Sequence, residues 1–401
     1  MSTLMGSTAH AETVTPASVT VEQAVSIALA RPELTAALAG SGAIEDATGE
    51  RASIWPNPVI AYDREQVSVG DREQTEETLI ISQSLDISGR RGLRADAARQ
   101  RGQASRLDGE ATRRRAALET RRRFWRVAHL QAQHEVTQGW LTKLEEASER
   151  VTKRKSAGES STYDVLRVER EVRASRAALA RLAVEREVSW LRLLELTGDL
   201  DAPGGWPRAG GSLLPKSIET PKAERATRPD VEAWSARERA AKLELDAANR
   251  GWLPEIGLTA GWRRVEDVDG SGEGFTAGVG LSLPLFDHGQ ADAAVARARA
   301  ARARSMGALL ADDARRQRRP AETRARELAK LARRVRAETE TAARALEATA
   351  EAAWLGGELE ILEILDVHRG RRDDALAVLE IEHAAREARE DLRAITLEET
   401  P

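Results

Sequence analysis

The chain has 401 residues, 61 basic and 65 acidic side chains for a net charge of −4, and no cysteine. Near-balanced charge excludes a bulk electrostatic footprint for nucleic acid, and the missing thiols exclude a disulfide scaffold, cysteine-containing zinc sites, thiol catalysis and lipid attachment through cysteine. Mean hydropathy is −0.47 and no apolar run approaches the roughly 18 residues of a spanning helix, so composition alone describes a soluble helical protein.

Residues 1–19 contain Ala9-His10-Ala11, which has the form of a signal-peptidase site. The charged start and apolar stretch of a secretory signal are missing. The segment reads either as chance in an Ala-rich chain or as the remnant of a signal peptide whose front half was lost to a misassigned start.

After an N-terminal helix, Trp55-Pro56-Asn57-Pro58 opens a β-like stretch. Strands are predicted at about 59–66 and 75–87. In the second, Leu79, Ile81, Leu85 and Ile87 alternate with Ile80, Ser82, Ser84 and Asp86, while Val59–Gln66 has the weakest pattern. From Gly89 to Lys155 there is no proline, and a helix of that length is a rod of about 100 Å. Ala97, Ala104, Ala111, Leu118, Trp125 and Ala132 recur along it at seven-residue spacing, a coiled-coil signal. Gly158 marks a break, and a returning helix over 162–197 carries Val165, Val172 and Leu179. Residues 201–229 are rich in Pro and Gly without apolar periodicity, as in Ala202-Pro203-Gly204-Gly205-Trp206-Pro207.

The plan then repeats. Trp252-Leu253-Pro254 precedes strands at about 256–264 and 274–285, where Ile256, Leu258, Ala260 and Trp262, then Phe275, Ala277, Val279, Leu281, Leu283 and Leu285, occupy alternate positions. Helices follow over about 289–355, with Leu328, Val335 and Ala342 on a weaker heptad, and over 360–396, with Val378, Ala385 and Leu392. The landmarks Trp55/Trp252, Gly89/Gly289 and Gly158/Gly357 are offset by 197, 200 and 199 positions. Three landmarks at nearly one offset indicate a tandem duplication, with repeats at 20–200 and 230–398.

Period-two strands with one oily face fit either a soluble sandwich or a membrane barrel of strands about 9–11 residues long. An Ala-rich seam buries little apolar area per residue, which favours an assembly over a lone hairpin. Four strands cannot close a membrane barrel by themselves, since the smallest have about eight, and lipid does not tolerate open sheet edges. Strands that span a membrane would therefore require several chains to share one barrel.

On these residues the chain resembles the TolC family of outer-membrane efflux proteins, from about Thr20 to Glu398. Beyond the duplicated layout, the resemblance rests on Pro56-Asn57-Pro58-Val59, on Ser82-Gln83-Ser84-Leu85-Asp86-Ile87-Ser88-Gly89-Arg90-Arg91, and on Leu283-Pro284-Leu285-Phe286-Asp287-His288-Gly289. Two tip signatures complete it, Gly158 with Asp164-Val165-Leu166 and Gly357 with Glu363-Ile364-Leu365. The Ser-Gln-Ser-Leu-Asp-Ile-Ser-Gly-Arg-Arg stretch is most similar to the heavy-metal branch exemplified by CzcC and CusC.

The resemblance implies a mainly α fold with a small β part. Long coiled-coil hairpins would form an α-barrel, with four transmembrane strands per chain in a barrel shared by a homotrimer. It implies a passive outer-membrane duct with a long periplasmic extension, with no catalysis, cofactor or resident metal. The duct would dock on a periplasmic adaptor and an inner-membrane pump. The tunnel would narrow at its tip, where acids fall six and nine residues after the second tip glycine, here Glu363 and Asp366. Asp164 holds the first-half position equivalent to Glu363, while Arg167 replaces the second acid. Gly158, Leu166, Gly357 and Leu365 form the tip motif implied to meet the adaptor.

Several residues depart from the family pattern. Pro320 interrupts the second long helix and should kink it or cost about 3 kcal/mol. Lys155 replaces a common aromatic that Trp354 supplies in the second half, and Leu359 stands where the prototype has a gating Arg. Other chemistry is missing. Gly272-Glu273-Gly274-Phe275-Thr276-Ala277 fits a dinucleotide fingerprint but precedes a strand instead of opening a helix. His129 and His134, five apart, do not share a helix face, whereas Asp366 and His368 near the tip read either as solvated groups or as ligands for a passing metal ion. The leading expectation is a metal-ion exit duct. The alternatives are a same-family duct for drug efflux or type I secretion, and a soluble coiled-coil scaffold with a small β-domain.

Overall fold

In the computed structural model the described residues are 18–70, 72–198, 207–216, 228–355 and 358–396. Gly357, the start of the chain to residue 17 and most of 201–229 lie outside them. The chain runs β1 (Ser18–Val19), α1 (Val21–Leu29), α2 (Pro32–Ser53), β2 (Val59–Val69), β3 (Arg72–Leu85), α3 (Arg90–Ser156), α4 (Thr162–Thr197) and β4 (Arg208–Ala209). It continues through α5 (Pro229–Asn249), β5 (Glu255–Asp267), β6 (Gly270–Ser282), α6 (Gln290–Leu355) and α7 (Ile361–Thr396). The protein is thus mainly helical with a small sheet component. Its segments form two compact units, and each contains parts of both halves of the chain.

One unit comprises residues 36–111 and 227–313. It holds a four-stranded antiparallel sheet in the order β2-β3-β5-β6. The Val59–Val69 strand, whose alternation is weakest, is paired with β3 along its whole length. Alanines make the helix contacts of this unit, with Ala104 of α3 against Ala233 and Ala236 of α5. Side chains this small bring the backbones close while burying little area each.

The other unit comprises residues 1–35, 112–226 and 314–401. One core holds Phe124, Trp125 and Val127 of α3, Trp190 and Leu193 of α4, and Leu213. The parallel pair β1–β4 lies against it, with Val19 and Ala209 both buried in the cluster. A second cluster joins Trp140, Leu144 and Val151 of α3 to Val165, Val168 and Val172 of α4 and to Ile361, Ile364 and Leu365 of α7. The heptad residues Trp125, Val165, Val172, Ala385 and Leu392 are all buried here. Ala342, on the weaker second-half heptad, is exposed.

Pro320 does not end α6, which continues to Leu355. A proline removes one backbone hydrogen bond, and here the turn around it is held by other contacts. Arg318 and Glu322 form a 2.7 Å ion pair across it. Ala321 packs toward the cluster of Ala325, Ala388 and Leu392.

Candidate functional site

In the four-stranded sheet the register sets side chains in lateral rows. Tyr62, Leu79, Trp262 and Phe275 form one row, and Ile60, Ile81, Ala260 and Ala277 the next. Gln83, Leu258 and Val279, then Leu85, Ile256 and Leu281, continue the same face. The opposite face carries Ser82, Thr259 and Gly278, then Ser84, Gly257 and Gly280. On the first face, the row beyond the aromatics is charged, with Arg64, Glu77, Arg264 and Glu273. The apolar band therefore ends abruptly. Its other margin carries the exposed aromatics Trp55, Trp252 and Phe286.

No described residue of this sheet is buried. Phe275 is 94% exposed and Val279 70%. Strands β2 and β6 each have one neighbour, so each leaves an edge open. A sheet of a soluble sandwich would have its oily face covered. Among the described residues, nothing covers that face or either edge.

The tip residues sit at the N-termini of α4 and α7. Gly158 takes φ +81°, the left-handed region that glycine enters without steric cost. Ser161 caps α4, and Asp164 accepts from the Ser161 backbone N–H at 3.1 Å and from its hydroxyl at 2.7 Å. These bonds hold the Asp164 carboxyl below its ordinary pKa. Glu363 does the equivalent on α7, accepting from the Glu360 N–H at 2.8 Å. Glu363 and Asp366 are both exposed. Asp366 pairs with Arg369 at 3.1 Å, and Arg369 also reaches Glu171 of α4 at 3.3 Å. Leu166 is exposed, whereas Leu365 is buried in the second core cluster. Leu359 is half-buried and Lys155 exposed.

His368 does not join Asp366. It turns to Lys143 and Glu347, and Glu351 lies within the same group. A second histidine pairing has no counterpart in the sequence reading. His129 of α3 and His383 of α7 stack with ring centroids 4.2 Å apart and planes 9° from parallel. Both are buried. His129 lies four residues after the seam residue Trp125, which was the available sign of its burial, but no local spacing names His383 as its partner.

Burial, the neighbouring His383 and Arg126 push His129 down to a pKa of about 3. His383 is also lowered, by burial and Arg126 and against the opposing pull of Glu387 and Glu380. Glu380 lies 3.4 Å from His129 Nε2, and Glu387 3.4 Å from His383 Nε2. A depressed folded-state pKa means that the unfolded chain binds the proton first. Stability is therefore full above the ordinary pKa of 6.5 and falls as pH drops toward 3. His129 contributes a slope of up to about 1.4 kcal/mol per pH unit in that window, and the lowered His383 acts in the same direction. Thermal melts between pH 7 and pH 5 should show this loss, and His129→Phe combined with His383→Phe should flatten it. An unchanged slope in the double variant would assign the acid sensitivity to other groups.

The outer membrane efflux protein family profile matches residues 28–199 and 220–396. The chain is 28% identical over 303 residues to the nickel-cobalt-cadmium resistance protein NccC of Alcaligenes xylosoxydans xylosoxydans, covering 72% of this chain and 66%, just under two thirds, of that one. It is 26% identical over 304 residues to the nickel and cobalt resistance protein CnrC of Cupriavidus metallidurans, covering 74% of this chain and 70% of the relative. A membrane protein from Pseudomonas aeruginosa shares the fold at 21% identity with a TM-score of 0.73, covering 94% of this chain and 90% of the other. The CusC channel does so at 17% identity with a TM-score of 0.67, covering 94% and 91%.

Proposed function

Because the chain belongs to the outer membrane efflux protein family, we propose that it is the passive exit duct of a tripartite efflux system. The uncovered sheet carries this reading. Its apolar face, bordered by aromatics and ended by a charged row, has the banding of an outer-membrane barrel. Trp252 and Trp262 are ten positions apart (262 − 252), or at most ~33 Å of extended chain. Tilt by about 40° reduces that to roughly the 25 Å height of the apolar band. Three chains would supply 3 × 4 = 12 strands, and each open edge would pair with a neighbour's.

In this reading the two structural repeats, 20–200 and 230–398, are joined by the belt segment 201–229. The helices form a periplasmic α-barrel that meets an adaptor and an inner-membrane pump. Gly158 turns the tip, Leu166 offers it an exposed contact, and Leu365 braces it from the core. Metal cations are the proposed substrate class, which the names of NccC and CnrC support. Recovery of the mature chain in the outer-membrane fraction is expected. Recovery only in the soluble fraction would overturn the duct.

Exposed Glu363 and Asp366 would place 3 × 2 = 6 carboxylates around the axis of a trimer, Glu363 keeping one oxygen on its own helix cap, whereas Asp164 is half-buried at the cap of α4. Acidic rings favour cations. Glu363→Ala with Asp366→Ala should reduce cation selectivity and divalent block severalfold in planar bilayers. Unchanged conductance and block would remove these residues from the constriction.

A further inference from the structure

Three ligand-type side chains meet away from both the sheet and the tip acids. Glu347 and Glu351 are four residues apart on α6 and so share a face. His368 approaches them from α7, and one donor atom from each of the three lies within 4.8 Å of the others. Glu347 and His368 keep only 14% and 11% of their side-chain surface exposed. A cation already sits against two of them. The Lys143 ammonium lies 2.7 Å from Glu347 Oε1 and 3.1 Å from His368 Nδ1. An ammonium can only donate. With Nδ1 unprotonated, His368 accepts from that ammonium and turns its lone pair into the cluster, where Glu347 Oε1 lies 3.3 Å from the same nitrogen. Arg371 binds the other oxygen of Glu347 and orients that carboxylate, as outer-shell partners do at metal centres. A cavity of about 290 Å³, lined in part by Lys143, Glu351 and His368, adjoins the group and leaves room for an ion with its waters.

We propose that Glu347, Glu351 and His368 form a divalent metal site whose resident cation, Lys143, is displaced when the ion binds. One imidazole and two carboxylates suit zinc, nickel or cobalt ions better than copper(I), which seeks sulfur, or calcium and magnesium, which seek oxygen alone. Lys143 has a flexible stem and a side chain 42% exposed, so its ammonium can swing into water. Arg371 stays on Glu347 and offsets one carboxylate charge. The ion would clamp α6 to α7 across the segment that separates them. Nothing in this site depends on the duct reading, and the tip acids take no part in it.

The test titrates zinc or nickel ions against a chromophoric chelator with the purified full-length protein in detergent. One ion per chain is expected, with magnesium binding far more weakly. His368→Gln and Glu351→Gln should each weaken binding about tenfold or more, and Lys143→Met should tighten it severalfold by removing the competitor. Glu351 is exposed, so its variant tests the site even where His368→Gln does not fold. Binding indifferent to both ligand variants, or weakened by Lys143→Met, would overturn the proposal and leave a structural ion-pair network.

Discussion

Val279→Arg is expected to abolish recovery of the protein in the outer membrane, while Gly280→Arg, one residue along the same strand, leaves recovery intact. Successive residues of a strand face opposite sides. Val279 lies in the row with Leu258 and Gln83, in the middle of the apolar band. Gly280 pairs with Gly257 on the small, polar face. A Cβ there meets only the Gly257 carbonyl oxygen at 4.0 Å, so a side chain fits without strain. An arginine facing lipid near mid-membrane costs roughly 2–4 kcal/mol. Three copies in one shared barrel would raise that to about 6–12 kcal/mol, enough to prevent assembly. The Gly280 variant would project into the lumen and should lower cation conductance instead. Outer-membrane fractionation and single-channel currents read the two outcomes. A soluble scaffold predicts a different result, because Val279 is already 70% exposed in the chain and an arginine there would cost little. Equal recovery of both variants would therefore refute the membrane face.

What was legible in the sequence follows from the range of each signal. The strands and long rods announce themselves by local periodicity and by the lack of proline between Gly89 and Lys155. The β1–β4 pair does not, because two residues per strand carry no period and its partners lie 190 positions apart, Ser18 with Arg208. Ser161-x-x-Asp164 has the form of a capping box and could have been read as one. That reading would have assigned the Asp164 carboxylate to its own helix before any role in the constriction. The histidines show the limit most clearly. Local spacing compares His129 with His134 and His368 with Asp366. The fold instead stacks His129 on His383 and sets His368 beside Lys143 and Glu347. Such partnerships depend on which helices pack together, and periodicity gives the buried face of a helix without its neighbour. Pro320 shows the converse, since α6 runs on through a strong local breaker.

Gly289→Ala is expected to destabilise the protein much more than Gly89→Ala, although the two glycines hold equivalent places in the duplicated plan. Both precede a long helix at positive φ, +89° and +68°, where a side chain costs about 1–2 kcal/mol. Their surroundings differ. A Cβ at Gly89 would meet the Arg250 guanidinium at 2.9 Å, the far end of a side chain that can move. At Gly289 it would lie 2.4 Å from the Ala248 carbonyl oxygen and 3.2 Å from its carbon. The approach is reciprocal, since a Cβ on Gly251 would fall 2.3 Å from the His288 carbonyl oxygen. The end of α5 and the start of α6 thus touch backbone to backbone, beside the roots of β5 and β6. Relieving that clash means moving one helix end, an overpacking cost of about 1–3 kcal/mol beyond the φ strain. Gly289→Ala should therefore lose roughly 2–5 kcal/mol in total, and Gly89→Ala only the φ component of about 1–2 kcal/mol. Denaturant midpoints of the two variants in detergent measure the difference. Matching midpoints would mean that the backbone contact yields freely, and that left-handed geometry alone explains both glycines.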